Sequence, residues 1–159
     1  DVNGDGITEL PRAVLMAGYK DTSSSDAVYM LDWYAYGIGK VPTKVATTYQ
    51  NISDAWSLLI DQKWHDRITA IKANDGGLSY VEFFEYRKNK MSIPLFNIYC
   101  ATGSNREYYA ERTDLIQLGQ TTQAIYFAKL TNEGEQSELA LTGDEIKARF
   151  SLVNQAWNN

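Results

Sequence analysis

Cysteine and histidine are almost absent from this chain of 159 residues, which carries one of each, Cys100 and His65. An internal disulfide needs two cysteines and a Cys/His zinc cage needs several such ligands, so neither is predicted. His65 precedes Asp66, but the sequence contains no G-x-S-x-G elbow, and a hydrolase triad around His65 is not predicted. Cys100 shares one face of a predicted strand with Phe96 and Ile98 and is predicted to be a core residue.

Long apolar runs and a basic charge balance are also missing. No run approaches the roughly 20 residues of a membrane-spanning helix, and no signal-like segment opens the chain, so no membrane insertion is predicted. The net charge is -5, and an acidic surface repels phosphate backbones, which argues against nucleic acid as a partner. The 44% apolar content with only three prolines is typical of a folded chain that forms its own core.

What the sequence does contain begins with a pattern of oxygen ligands around Gly6. Calcium takes six to eight oxygen ligands, and alternate positions of a tight loop can turn their oxygens toward one ion. An EF-hand would need Glu at position 12, where Arg12 stands, so that type of loop is disfavoured. An Asp/Asn/Gly turn that caps its own backbone remains the alternative. The predicted calcium ligands are Asp1, Asn3, Asp5, the carbonyl of Ile7, and Glu9.

This loop, D-x-N-G-D-G-x-x-E-L, leads into a strand-like run over residues 10–17. It resembles the calcium loop of FG-GAP and VCBS repeats, in which the ninth position supplies the last acid and a strand follows. The resemblance implies a structural calcium ion and a blade-like start to the fold. The strand that would deliver such a loop is missing before Asp1, so the chain is expected to be a piece of a longer protein. The motif occurs once, which argues against a full propeller.

Residues 1–50 are predicted to form the calcium loop and a three-stranded meander. Residues 27–36 alternate with a period of two and have one wholly apolar face, which predicts a strand. Residues 43–49 are rich in β-branched side chains and predict the next strand. Asp32 interrupts an apolar neighbourhood in the first of these strands, and the expected outcome for it is a place at a sheet edge or a salt bridge to Lys or Arg.

Residues 51–159 are predicted to form an antiparallel sheet covered by a helix. Turn signals separate predicted strands at residues 57–60, 67–71, 78–87, 95–101, 115–118 and 123–130, with a short helix over 104–112. A capping box at Thr142 and Glu145 predicts a final helix, with Ile146, Phe150, Val153 and Trp157 on one face. The predicted fold class is therefore α+β: mainly antiparallel sheet with a C-terminal helix packed on one face, preceded by a short β-meander.

The order of elements from Tyr49 to Val153 resembles the PsbP-like sandwich domain found in lipoproteins of Gram-positive bacteria. The segments that carry the resemblance are 56–60, Trp64, 77–86, 96–99, 123–127 and 145–150. It implies a non-catalytic accessory domain, spanning 51–159, on the outside of a bacterial cell. One compact domain over the whole chain is the alternative to two units.

Aromatic residues are plentiful, with four Trp, eleven Tyr and five Phe. Exposed rings with polar rims suit sugars or protein partners, whereas sheets also use such rings for packing. The predicted ligand-binding residues on the meander are Trp33, Tyr34 and Tyr36, and the short helix offers Tyr108 and Tyr109.

These observations predict a non-enzymatic extracytoplasmic domain of a bacterial surface protein or lipoprotein, with a calcium loop that is structural. The rival hypothesis is a carbohydrate- or peptide-binding module that uses exposed Trp and Tyr on a sheet face. A hydrolase that uses Asp32 or Glu82 would need two acids converging in one cleft and ranks last. A dimer along an unpaired sheet edge is a further expectation.

Overall fold

The computed structural model describes residues 5–23, 25–75, 78–88, 90–104 and 106–153. Within these ranges, ten strands form two antiparallel sheets of five strands each. The strands of the first sheet, in spatial order, are β1 (Leu10–Leu15), β2 (Tyr29–Ala35), β3 (Thr43–Asn51), β4 (Trp56–Leu59) and β10 (Phe150–Leu152). Those of the second are β5 (Ile68–Asp75), β6 (Leu78–Arg87), β7 (Lys90–Thr102), β9 (Ala124–Leu130) and β8 (Ile116–Gln120).

Helices contribute little to the fold, and the predicted α+β class is wrong. Strands hold 50% of the described residues and helices 12%, so the protein is mainly β. The described α-helices are α1 (Arg106–Ala110) and α2 (Gly143–Arg149), with 3-10 turns at Gln62–Trp64 and Gly134–Gln136. No described helix has the length and apolar character needed to cross a membrane.

The C-terminal helix is shorter than its apolar spacing predicts. The capping box is present as expected, with the Thr142 hydroxyl accepting from the backbone of Glu145. Helix α2 nevertheless ends after seven residues, because Phe150 takes an extended conformation and pairs with Leu58 of β4. The sheet ladder here outweighs the local helical pattern. Trp157, the last residue of the predicted helix face, lies outside the described residues.

The two sheets pack face to face around one aromatic core. Tyr49 of the first sheet meets Phe83 of the second edge-on, with ring centroids 5.3 Å apart. Phe83 in turn stacks on Phe96 at 4.8 Å, and Phe96 lies 5.9 Å from Trp64. Alternation along each strand turns one row of side chains into this core, which makes the molecule a β-sandwich.

The positions of two prolines agree with the sheet topology. Pro11 lies in β1, an edge strand, where a missing N–H breaks no ladder. Pro94 lies in the central strand β7, next to a register shift opposite Phe83 and Phe84. A bulge is the one place where a central strand tolerates proline. The edge-strand dimer stays a prediction, and proline and arginine in β1 weaken pairing along that edge.

Candidate functional site

The predicted calcium loop lies only partly within the described residues, because Asp1 and Asn3 fall outside them. The Asp5 Oδ1 atom accepts a hydrogen bond of 2.8 Å from the backbone N–H of Ile7. Such a contact is the self-capping expected of a plain turn. It is also compatible with a calcium ligand, since a carboxylate has two oxygens and about four acceptor positions. Among described residues, no group of three or more Asp, Glu, His or Cys side chains is placed to hold a metal.

The three aromatic residues predicted on the meander do not form one platform. Trp33 is half-buried and its indole N–H donates to the Thr48 hydroxyl at 2.9 Å. Tyr34 follows it in β2, and successive strand residues point to opposite faces of the sheet. Tyr36 lies beyond the end of β2 and is 55% exposed. A ligand could therefore contact these rings singly but not as a set.

The two acids considered for hydrolysis are also kept apart. Asp32 is buried on the core side of β2, where it accepts from the Thr47 hydroxyl at 2.6 Å and from Lys44 at 3.2 Å. Of the two outcomes expected for this acid, a sheet edge or a salt bridge, the structure shows the salt bridge. Glu82 lies on β6 between the core residues Val81 and Phe83, so its side chain points to the outer face of the second sheet. The second sheet itself separates the two carboxylates.

The outer face of the second sheet carries a cluster that the sequence did not single out. Tyr80 of β6 stands directly opposite Tyr99 of β7, and Tyr99 opposite Phe127 of β9. The rings of Tyr80 and Tyr99 are half-buried, with centroids 5.3 Å apart at an interplanar angle of 35°. These two tyrosines form the floor of the site and are called the tyrosine pair below.

A crossover connection builds a wall beside this floor. Strands β7 and β8 both pair antiparallel with β9, so they run parallel and the chain between them must cross one face of the sheet. Helix α1 lies in this connection and contacts β7 and β9. Tyr109 of α1 and Leu115 pack over Phe127, which is fully buried as a result.

Floor and wall enclose a cavity of about 230 Å³ on the outer face. Rings and aliphatic groups form its surface, and charged side chains stand around the rim. Its lining residues are Asp75, Leu78, Tyr80, Tyr99, Tyr109, Arg112, Leu115, Phe127 and Lys129. An apolar surface with a few polar groups at its edge is the usual composition of a small-molecule site.

The charges at the rim are fixed by ion pairs. Asp114 accepts two hydrogen bonds from Arg112, at 2.9 Å and 2.6 Å, and lies 3.4 Å from the Lys129 ammonium. The Arg112 side chain, with Lys129 beside it, lowers the pKa of Asp114 to about 2. With Asp75, the rim holds two cations and two anions and carries no net charge at neutral pH.

The sequence does contain a pattern that indicates this site, but it is weaker than the concentration of Trp and Tyr near residue 33. Residues 78–82 and 97–99 alternate, but their solvent-facing rows mix tyrosines with a carboxylate and an amide. The composition of such a row differs from that of an apolar core row and from that of a charged surface row. Pairing of β6 with β7 in the observed register brings these rows together.

A second cavity, of about 470 Å³, opens at one end of the sandwich. There the Tyr126 hydroxyl donates to the backbone carbonyl of Asp54 at 2.8 Å, while Asn51 and Ser79 donate to the Asp54 carboxylate. Cys100 lines this cavity but is buried, and burial with the nearby Asp54 charge raises the pKa of its thiol to about 11. The thiol is therefore protonated at neutral pH and a weak nucleophile, which confirms its prediction as a core residue.

No protein-family model, curated protein or solved structure matches this chain. The resemblances to FG-GAP and VCBS loops and to PsbP-like domains therefore stay predictions from the sequence.

Proposed function

We propose that this chain is a non-catalytic carbohydrate-binding module whose site is the outer face of the second sheet. The observation that carries the proposal is the tyrosine pair, Tyr80 and Tyr99, set in an open cavity with a charged rim. A sugar ring has an apolar side made of C–H groups and an edge of hydroxyls. The flat tyrosine rings match the first of these and the charged and amide groups match the second.

The position of the cavity supports a sugar over a peptide, the other ligand considered. Extended peptides add a strand to a free sheet edge, and helical peptides need a long apolar groove. The tyrosine pair lies on β6 and β7, which are flanked on both sides by other strands. Because these strands have no free edge, a ligand here must be held by side chains alone.

The protonation state of Asp114 supports binding without hydrolysis. Glycoside hydrolysis needs one carboxylic acid that is protonated at working pH and a second carboxylate across the bond to be cleaved. Asp114 has a pKa of about 2 and is ionised at neutral pH. It is engaged by two cations, so its role is to hold Arg112 and Lys129 in place.

The extracytoplasmic bacterial setting and the structural calcium ion belong to the same proposal. Sugars of cell walls and polysaccharides lie outside the cell, where calcium is available at the concentrations that weak oxygen-rich loops require. The calcium site is supported by the spacing of its oxygen ligands, and Asp5 and Glu9 are the acids of that loop within the described residues.

The first expected result is binding of an immobilised oligosaccharide on an array of bacterial, plant and fungal glycans. Tyr80→Ala removes half of the tyrosine pair and should weaken that binding at least about tenfold, as expected for an aromatic anchor. Isothermal titration with the glycan retained on the array measures the change.

Tyr36→Ala is the matched control, because it removes an exposed tyrosine that lies just beyond β2 of the first sheet. It should leave the affinity unchanged. Retention of no glycan at all, or equal losses for the two variants, would overturn the proposal. If only Tyr36→Ala lowers the glycan affinity, the binding site lies on the meander within residues 1–50 instead.

The second expected result concerns calcium. Titration with calcium chloride should show saturable binding and raise the melting temperature of the chain, because an ion bound only by the folded state stabilises it. Asp5→Ala should abolish both effects. Asp21→Ala, which removes an exposed acid outside the loop, is the control and should abolish neither. Absence of heat and of a melting shift in the unmodified chain would refute the calcium site.

A further inference from the structure

A polar row runs beside the tyrosine pair on the same face. Glu82 of β6 stands opposite Asn97 of β7, and Asn97 opposite Lys129 of β9. Each of these residues is two positions along its strand from the aromatic row. Two residues of extended chain span about 7 Å, so the two rows are close neighbours on the outer face.

Hydrogen bonds join the polar row to the floor of the cavity. The Asn97 amide nitrogen donates to the Tyr99 hydroxyl at 2.9 Å and reaches Glu82 Oε1 at 3.4 Å. Its carbonyl oxygen is left to accept from a ligand, and the Tyr99 hydroxyl keeps its own hydrogen to donate. Lys129 belongs to both regions, since it lines the cavity and ends the polar row.

The cavity is too small to enclose a whole drug-sized molecule. Its 230 Å³ lies below the roughly 300–1,000 Å³ of pockets that enclose drug-sized molecules. The wall formed by Tyr109 and Leu115 covers the face above β9. A ligand longer than one ring extends beyond this cavity, and the polar row is the polar surface next to the cavity on the same face.

We infer that the site binds a neutral saccharide of at least two sugar units, with one ring on the tyrosine pair and the next over Glu82, Asn97 and Lys129. This inference rests on the proposed carbohydrate-binding function and adds the size and charge of the ligand. Because Lys129 belongs to both regions, the polar row and the rim together hold three anions, Asp75, Glu82 and Asp114, and two cations, Arg112 and Lys129. A site with this charge balance does not select an anionic sugar by net charge.

The experiment compares sugars of increasing length by isothermal titration. The probes are glucose, cellobiose and cellotriose; N-acetylglucosamine and its β-1,4-linked dimer and trimer; xylose and xylobiose; and glucuronic acid oligosaccharides as the anionic set. In the series that binds, the dimer should bind at least about tenfold more tightly than the monosaccharide, since a second ring adds contacts without a second loss of translational freedom.

Substitutions in the polar row, compared with Tyr80→Ala and an outside control, assign that gain to the polar row. Asn97→Ala should remove most of the advantage of the dimer and leave the monosaccharide affinity within about twofold, whereas Tyr80→Ala should weaken both ligands. Glu82→Ala repeats the test at a polar-row residue that does not line the cavity, and it leaves the hydrogen bond from Asn97 to Tyr99 in place. Asn132→Ala changes an exposed amide outside the site and should alter neither affinity. Melting temperatures show that each variant is folded.

The outcomes separate the inference from the proposed function. If monosaccharide and dimer bind with equal affinity and Tyr80→Ala weakens both, the inference of a second bound sugar unit is overturned. The proposed carbohydrate binding stands in that case. Tighter binding of the glucuronic acid series than of the uncharged series would overturn the inference that the ligand is neutral. Binding of no saccharide in any series, together with an empty glycan array, would overturn both.

Discussion

Phe83→Ala is expected to lower the free energy of unfolding by about 3–5 kcal/mol, the range for removing a large buried ring. The Phe83 side chain is fully buried between the sheets. It meets Tyr49 of the first sheet edge-on and stacks on Phe96 of the second. Its removal leaves a cavity at the contact that joins the two halves of the sandwich.

Chemical denaturation in urea measures this loss as a lower midpoint with an unchanged slope. Phe84→Ala is the matched control, because the same residue type is removed from the next position of β6, where the side chain is only half-buried. A smaller loss is expected there. Since domains are stable by roughly 5–15 kcal/mol, the Phe83 variant should retain little margin. Equal losses at the two positions would contradict the described core.

Periodicity in the sequence predicted the strands well where alternation is strict. The alternation over residues 27–36 corresponds to β2, and that over 78–87 to β6. In β2, however, the buried face carries Met30 and Asp32 and is not the wholly apolar face of the sequence, so alternation predicted the strand but not which of its faces is buried. Strand β7 begins at Lys90 rather than near residue 95, because it extends across a bulge at Pro94 to pair with β6.

Elements that depend on distant partners were harder to predict. Phe150 has the spacing of a helix face with Ile146, yet it belongs to β10 because β4, about 90 positions earlier in the sequence, offers an unpaired edge. The tyrosine pair was missed for the same reason. Tyr80 and Tyr99 become one surface only when β6 and β7 pair in register and the crossover with α1 covers β9.

Alternation in β6 predicts that Glu85 is buried but not which groups bind its charge. Its spacing from Val81 and Phe83 places it on the core face of β6, and it is 0% exposed. The sequence does not reveal what compensates this buried charge. Arg87 Nε and Ser137 Oγ each lie 2.5 Å from its oxygens, and Arg67 lies at 3.2 Å. One partner comes from the loop before β5 and another from the loop before α2.

Glu85→Ala is expected to destabilise the fold by about 3 kcal/mol at pH 7. This is the low end of the roughly 3–5 kcal/mol for breaking a buried ion pair, because the arginines that lose their partner still reach water. Their side chains are 42% exposed for Arg67 and 47% for Arg87. Glu138→Ala is the control, since Glu138 contacts the same Arg67 nitrogen at 3.1 Å but is 78% exposed. Its loss should cost less than about 1 kcal/mol.

The pH dependence of stability distinguishes a charged Glu85 from a merely well-packed one. Burial acts to raise the pKa of Glu85, but hydrogen bonds from Arg87, Ser137 and Arg67 outweigh it and hold the pKa below its ordinary value. A carboxylate with a lowered folded-state pKa contributes stability that is complete above its unfolded pKa of about 4.3 and is lost as pH falls through the folded-state value. Glu85→Gln, which keeps the size of the side chain, should therefore be less stable than the unmodified chain at pH 7, and the gap should narrow steadily below about pH 4. Urea denaturation at pH 7, 5, 4 and 3 measures the gap. A difference that stays constant over this series would show that Glu85 stabilises the sandwich through its shape and not through its charge.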